Sequence, residues 1–385
     1  MRILILGIEI SSPNKGCSAL GYSLITVLSR LVRNQQDCKI CIAARNSNIP
    51  YDFDGRGFEI STIEIRNKDP RFYFRLGKLI NKADVVFDFT EGDSFTELYG
   101  IKRFVQTSMM KQMVLNRHKP LVLGPQTYGP VYHKYAKIWM KSIIKNAEAV
   151  FSRDKMSIDF LKGVLTRDYV LTNDIAFELP YRVRNERKND KKIIGINPSG
   201  LLWSGGYFGG NQFGLTMDYK KYICEVIEFL LRKKDIEIHL ISHVILDDME
   251  NPESDNKVCD FLKTKYPNTI IAPLFDSPVQ AKNYISEMDV FIGSRMHATI
   301  ASFSTGVPTI PVSYSRKFEG LYDSLNYPYV ISATTLDTNE AIKLTKKYLS
   351  CTEELEEAIC KSRIVVDEKR KILYESLETI IRRYE

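Results

Sequence analysis

A chain of 385 residues, 44% hydrophobic and 26% charged, has apolar material for two ordinary globular domains and excludes a disordered or fibrous protein. Its formal net charge of +7 suits anionic partners, but the charge is spread along the chain without a zinc-finger, homeodomain or RNA-binding aromatic signature, so nucleic acid is not an expected partner. Seven cysteines without a spacing framework, an amino terminus that reads as a strand rather than a secretory leader, and no apolar run long enough for a bilayer span lead to the expectation of a cytoplasmic protein, with work at the inner face of a membrane left open.

Ile3–Ile8 is a short apolar run of the kind that forms a strand buried on both faces. A polar loop, Ser11–Ser18, precedes a helical pattern over Ala19–Leu31, and Lys39–Ala43 reads as the next strand. In the stretch Cys38–Ala43, read as a strand, Cys38 and Cys41 fall on opposite faces, which argues against a ligand or redox pair. Val85–Phe89, the start of Pro120–Pro130 and Ala149–Ser152 are further strands, with a helix over Lys134–Asn146. The alternation predicts an α/β domain over residues 1–180 with a mainly parallel sheet.

Residues 181–191, with the basic run Arg182–Lys192, read as a solvated linker. A second α/β pattern follows over 192–350: strands at Lys192–Asn197, Ile236–Ser242, Thr269–Ala272, Asp289–Gly293 and Thr309–Pro311, and helices at Tyr219–Arg232, Asn256–Lys265, Val279–Met288 and Met296–Thr305. A helical tail over 351–385 either caps this half or crosses back to the first. Two Rossmann-like domains facing a cleft, with ligands at carboxyl strand ends, is the predicted fold.

Arg295 and His297 sit two residues apart just past the Asp289–Gly293 strand, at the start of a small-residue helix. A helix start exposes unpaired N–H groups and attracts anions, an arginine pairs with carboxylate or phosphate through two bonds, and histidine suits acid–base work near neutrality. On chemistry alone the same pair also fits an interdomain ion pair and a satisfied interior histidine. The glycine-rich stretch Asn197–Gly214, carrying Trp203, fits either a phosphate- or sugar-wrapping loop or a plain connection. The five histidines have no metal-ligand spacing, so no metal site is expected.

The run Asp289–Leu325 resembles the polysaccharide pyruvyl transferase family: a strand, Arg295 and His297, a small apolar helix, Gly306 and Pro308, a strand, Tyr314 and Lys317. Ala149–Leu161, with Arg153, Asp154 and Ser157, and Gly124–Pro130 extend the resemblance over most of the chain. Where family members often carry a glycine run, this chain has Asp88–Gly100, with Gly92 between Glu91 and Asp93.

The resemblance implies a glycosyltransferase B-like architecture and transfer of a pyruvyl group from phosphoenolpyruvate to a sugar of a cell-surface polysaccharide or its precursor. The product is a cyclic ketal, and the co-substrate is phosphoenolpyruvate, with no cofactor. It places Arg153, Arg295 and Lys317 on the donor and His297 as proton donor; Glu91 and Asp93, which follow the Val85–Phe89 strand, are candidates to accept the hydroxyl protons, and either also fits a sugar-hydroxyl ligand or a helix cap. Gly92, Tyr128, His133, Trp203, His243 and Tyr314 are acceptor or cleft candidates. The acceptor partner is a sugar, a glycan or a lipid-linked glycan. A nucleotide-sugar glycosyltransferase and a non-catalytic glycan- or anion-binding protein on the same scaffold are the alternatives.

Overall fold

The computed structural model describes residues 1–51, 53–183 and 191–385; most of the basic linker, residues 184–190, lies outside them. The chain forms two compact units that are not continuous in sequence. One comprises Met1–Ser12, Cys17–Leu179 and Val366–Glu385; the other comprises Pro13–Gly16 and Pro180–Val365.

The first unit holds a seven-stranded sheet of β1 (Arg2–Leu6), β2 (Lys39–Ala44), β3 (Glu59–Glu64), β4 (Val85–Asp88), β5 (Leu121–Gln126), β6 (Ala149–Ser152) and β7 (Val170–Leu171), in the order β3-β2-β1-β4-β5-β6-β7. Every pairing is parallel. The central β4 is buried at all four positions, whereas the edge strand β3, Glu-Ile-Ser-Thr-Ile-Glu, stays partly exposed and carries the polar alternation of an edge. Helices Pro70–Lys82, Ile101–Leu115 and Lys134–Asn146 put Phe72, Leu76, Phe104, Met140 and Ile143 into one core with Leu4, Val86 and Leu121. The last helix, Thr352–Arg382, supplies the carboxyl-terminal piece of this unit, where Arg370 and Tyr374 hold the buried Glu178 and Asn173 bonds the Val366 carbonyl.

The second unit holds a six-stranded sheet of β8 (Lys192–Asn197), β9 (Ile236–Leu240), β10 (Ile270–Ile271), β11 (Val290–Gly293), β12 (Thr309–Ser313) and β13 (Ile331–Ser332), also parallel, in the order β10-β9-β8-β11-β12-β13. In each sheet the order reverses beside the first strand of the unit, between β1 and β4 and between β8 and β11. At such a switch point the connections leave in opposite directions and open a crevice at the carboxyl strand ends.

Candidate active site

At the switch point of the second unit, β8 anchors the turn at the end of β11. Ser294 N donates to Asn197 O at 3.1 Å and Arg295 N to Asn197 Oδ1 at 3.0 Å. Arg295 is the N-cap residue of the helix Met296–Ser304, so that helix points its first N–H groups at the crevice. The guanidinium is nearly buried; Nε and Nη2 lie 3.1 and 2.8 Å from Asp255 Oδ1, and Nη2 donates to Glu253 O at 2.7 Å. Burial alone would lower the Arg295 pKa, but the Asp255 carboxylate holds it above its ordinary value. Nη1 takes no part in these bonds.

Asp255 is the hub of this end of the sheet. Fully buried, it also accepts from the backbone N–H groups of Gly200, His243 and Val244 at 2.9, 3.1 and 2.9 Å. One carboxylate thereby ties together the loops after β8, β9 and β11. Sequence reasoning missed it, because Ser254-Asp255 looks like any helix start.

Pro13–Gly16 completes the cluster. Asn14 bridges Val244, and Lys15 N donates to His243 O at 3.0 Å. A Cβ on Gly16 would stand 2.5 Å from His297 Nδ1, so only glycine admits the imidazole there. His243 is 3% exposed; burial drives its pKa well below the histidine norm, and the positive charges of His297, Arg295 and Lys15 add to the effect. Arg295 and Lys15 concentrate positive charge beside a buried imidazole that stays neutral, an arrangement that favours an anion. Lys15 and Gly16 also escaped the sequence reading; their signal was an Asn-Lys-Gly turn inside a loop that reads only as polar.

The glycine-rich loop reaches the same strand ends through Tyr207 and Phe213. Phe213 packs on Tyr207 and Tyr314, with centroids 6.3 and 5.0 Å apart. Burial pushes the Tyr207 hydroxyl up to about 12, with Glu253 and Tyr314 raising it and Lys317 and Arg295 opposing them. Those interactions put Tyr314, Lys317 and Arg295 in one neighbourhood. Trp203 instead pairs with Phe261 at 5.4 Å and Lys220 at 5.7 Å. A cavity of about 690 Å³ lies at the opposite end of this sheet, beside Lys192, Asp289 and Pro308, away from the Arg-x-His turn.

At the switch point of the first unit, Thr90, Glu91 and Gly92 take φ of 45°, 55° and 85° in succession. Two non-glycine residues in the left-handed region store strain of about 1–3 kcal/mol each, a cost kept where structure serves a site. Glu91 N donates to Gly7 O at 2.6 Å, and the Glu91 carboxylate is shared by Arg45 and Arg103. Asp93 accepts from Tyr99 OH at 2.8 Å. Below the turn, Lys111 and Asp88 form a fully buried ion pair at 3.0 Å, and Thr90 donates to Asp88. Glu9, nearby, is pushed up by burial and by Glu91 against the N–H bonds from Arg45 and Asn46.

Arg153 belongs to this unit, not to the one with Arg295. It is 2% exposed, ion-paired with Asp174 and bonded through Nε to Thr127 at 3.0 Å; its Nη1 lies 3.2 Å from where a Gly92 Cβ would be. Tyr128 lies in the core, 3% exposed, and its hydroxyl donates to Phe151 O at 2.9 Å. His133 is exposed and pairs through Nδ1 with Glu97 Oε1 at 2.9 Å.

The sequence profile of polysaccharide pyruvyl transferases matches residues 14–316, from the Asn14 loop through the Arg-x-His turn to the helix of Lys317. The chain belongs to that family. Its chemistry is pyruvyl transfer from phosphoenolpyruvate to a sugar. No curated protein matches the sequence. Solved structures show the fold. Anabaena HepE in complex with UDP-glucose superposes with a TM-score of 0.61 at 9% identity, over 99% of this chain and 100% of that one. The sucrose-phosphate synthase of Thermosynechococcus elongatus gives 0.58 at 11% identity, over 100% and 98%. Neisseria meningitidis UDP-GlcNAc 2-epimerase bound to UDP-GlcNAc gives 0.57 at 12% identity, over 96% and 100%. All share the two-Rossmann, glycosyltransferase B-like architecture.

Proposed function

We propose that this pyruvyl transferase binds phosphoenolpyruvate at the β8/β11 switch point and builds a cyclic ketal on two hydroxyls of a cell-surface polysaccharide precursor. The observation that carries the reading is the convergence of Arg295, His297 and Lys15 around the buried, neutral His243. A donor with a carboxylate and a phosphate needs several cations and N–H donors at once, and this turn supplies them. Lys317, on the helix after β12, adds a half-buried cation.

His297 delivers a proton to the methylene carbon, leaving the central carbon electrophilic. One sugar hydroxyl bonds to that carbon and the C–O bond to phosphate breaks; the second hydroxyl closes the ring. Of the two hydroxyl protons, one ends on the new methyl group and the other on phosphate. Glu91 and Asp93, at the strained turn of the first unit, are the proposed acceptor-side carboxylates; Arg153 supports that turn from below. Work beside the inner face of a membrane fits an acceptor carried on lipid.

Calorimetric titration with phosphoenolpyruvate, followed by mass spectrometry of candidate acceptors, tests the assignment. Saturable binding should weaken at least about tenfold in Lys317→Ala and Arg295→Ala, the loss of a charge-assisted contact. His297→Ala should keep donor affinity and release no phosphate. The product should gain one pyruvic acid less one water. Unchanged affinity in both cation variants would move the donor elsewhere.

A further inference from the structure

Between Glu97 and Glu148 the sequence contains no Asp or Glu, in a chain whose Asp and Glu number 47 among 385 residues. The helix Lys134–Asn146 lies in that interval, and its Lys134, Lys137, Lys141 and Lys145 are all exposed. Lys134, Ile138, Lys141 and Lys145 follow at helical spacing along one stripe. The other face of the helix, Ala136, Met140, Ile143 and Ile144, is buried in the core of the first unit, so the basic face is held rigidly outward.

Large apolar side chains project from the same surface. Tyr132, Tyr135, Ile138 and Leu98 are 63, 54, 66 and 61% exposed. They are neighbours by construction: Glu97 accepts from the backbone N–H groups of Tyr132 and His133, which brings Leu98 beside the start of the helix, and the His133 and Tyr135 rings lie 5.2 Å apart. A soluble surface gains nothing by exposing four such side chains together.

We infer that this face docks on an anionic lipid surface, with the lysines over the headgroups and Tyr132, Tyr135, Ile138 and Leu98 seated at the acyl boundary. Basic residues around aromatic and aliphatic side chains are what interfacial binding requires, whereas a nucleic-acid surface has no use for projecting Ile138 and Leu98. Among the described residues no helix is long and apolar enough to cross a membrane. The inference stands on the surface alone, independent of the donor site.

Co-sedimentation of the full chain with vesicles tests it. The protein should pellet with phosphatidylglycerol-rich vesicles and not with phosphatidylcholine, more weakly as salt rises. Lys134→Glu/Lys141→Glu/Lys145→Glu should lower partitioning by about 100-fold or more, and Tyr135→Ser/Ile138→Ser by about tenfold. Phosphoenolpyruvate titration of each variant, matching the parent protein, reports an intact fold and keeps this result separate from the donor assignment. Failure to pellet with anionic vesicles, partitioning unchanged in Tyr135→Ser/Ile138→Ser, or tighter binding to an oligonucleotide than to vesicles would each overturn the inference.

Discussion

Asp255 and Arg295 form a buried ion pair in which Nε and Nη2 meet one carboxylate oxygen at 3.1 and 2.8 Å, while the same carboxylate gathers the loops after β8 and β9. The arginine of the Arg-x-His turn is therefore both a ligand candidate and a strut. Asp255→Asn keeps the shape but strands a buried guanidinium, and breaking such a pair costs about 3–5 kcal/mol. Urea unfolding should show that loss, together with weaker phosphoenolpyruvate binding. A change below about 1 kcal/mol would mean the pair is solvated and the strut role is wrong.

Gly16 and His297 are in contact only because Gly16 has no side chain. Gly16→Ala places a methyl 2.5 Å from Nδ1, so either the loop or the imidazole must move. Displacement of a proton donor by about 1 Å lowers turnover on the order of 100-fold. The kcat of Gly16→Ala should fall with donor affinity nearly kept, while Lys15→Ala should lose affinity with kcat less affected. Identical effects in the two variants would argue against separate roles for the turn.

The Arg-x-His turn was legible because its signal is local: two cationic residues past an apolar strand, at the start of a small-residue helix. The alternating strands and helices were legible for the same reason. Asp255, Lys15 and Gly16 were not, since their importance arises from contacts with residues far along the chain. Tyr128 looked like a cleft residue from its Gly/Pro-rich turn, yet the backbone there sends its ring into the core, where Phe151 O takes its hydroxyl. Lys111 was not legible as buried, because a lysine among apolar helix residues reads as solvated until its partner Asp88 is brought beneath it. The basic face of Lys134–Asn146 was readable as a helix, but which of its residues stay exposed needed the packing.

Lys111 and Asp88 support the strained turn at Thr90 and Glu91 from inside the first unit. Burial lowers the Lys111 pKa and Asp88 opposes that shift, so the pair holds its charges only together. Lys111→Met should destabilise by about 3–5 kcal/mol, since Asp88 is left alone in the core. Adding Asp88→Asn should recover much of that stability without restoring the turn geometry, so acceptor KM should stay raised. Recovery of both would show that the ion pair serves stability alone.

His243 supplies a pH prediction with a fixed sign. Its folded pKa lies well below 6.5, because burial, then His297, Arg295 and Lys15, disfavour the imidazolium. Below the unfolded value the unfolded chain binds the extra proton and the folded chain does not, so stability falls as pH falls from about 6.5 toward the folded value, by up to about 1.4 kcal/mol per pH unit, and is level above it. Denaturant midpoints across this range should show the slope, and His243→Asn should remove it. Phosphoenolpyruvate at saturation should flatten it as well, because a bound anion offsets the positive charge of Arg295 and Lys15. A slope that survives both the substitution and the ligand would place its origin in another group and would take His243 out of the anion site.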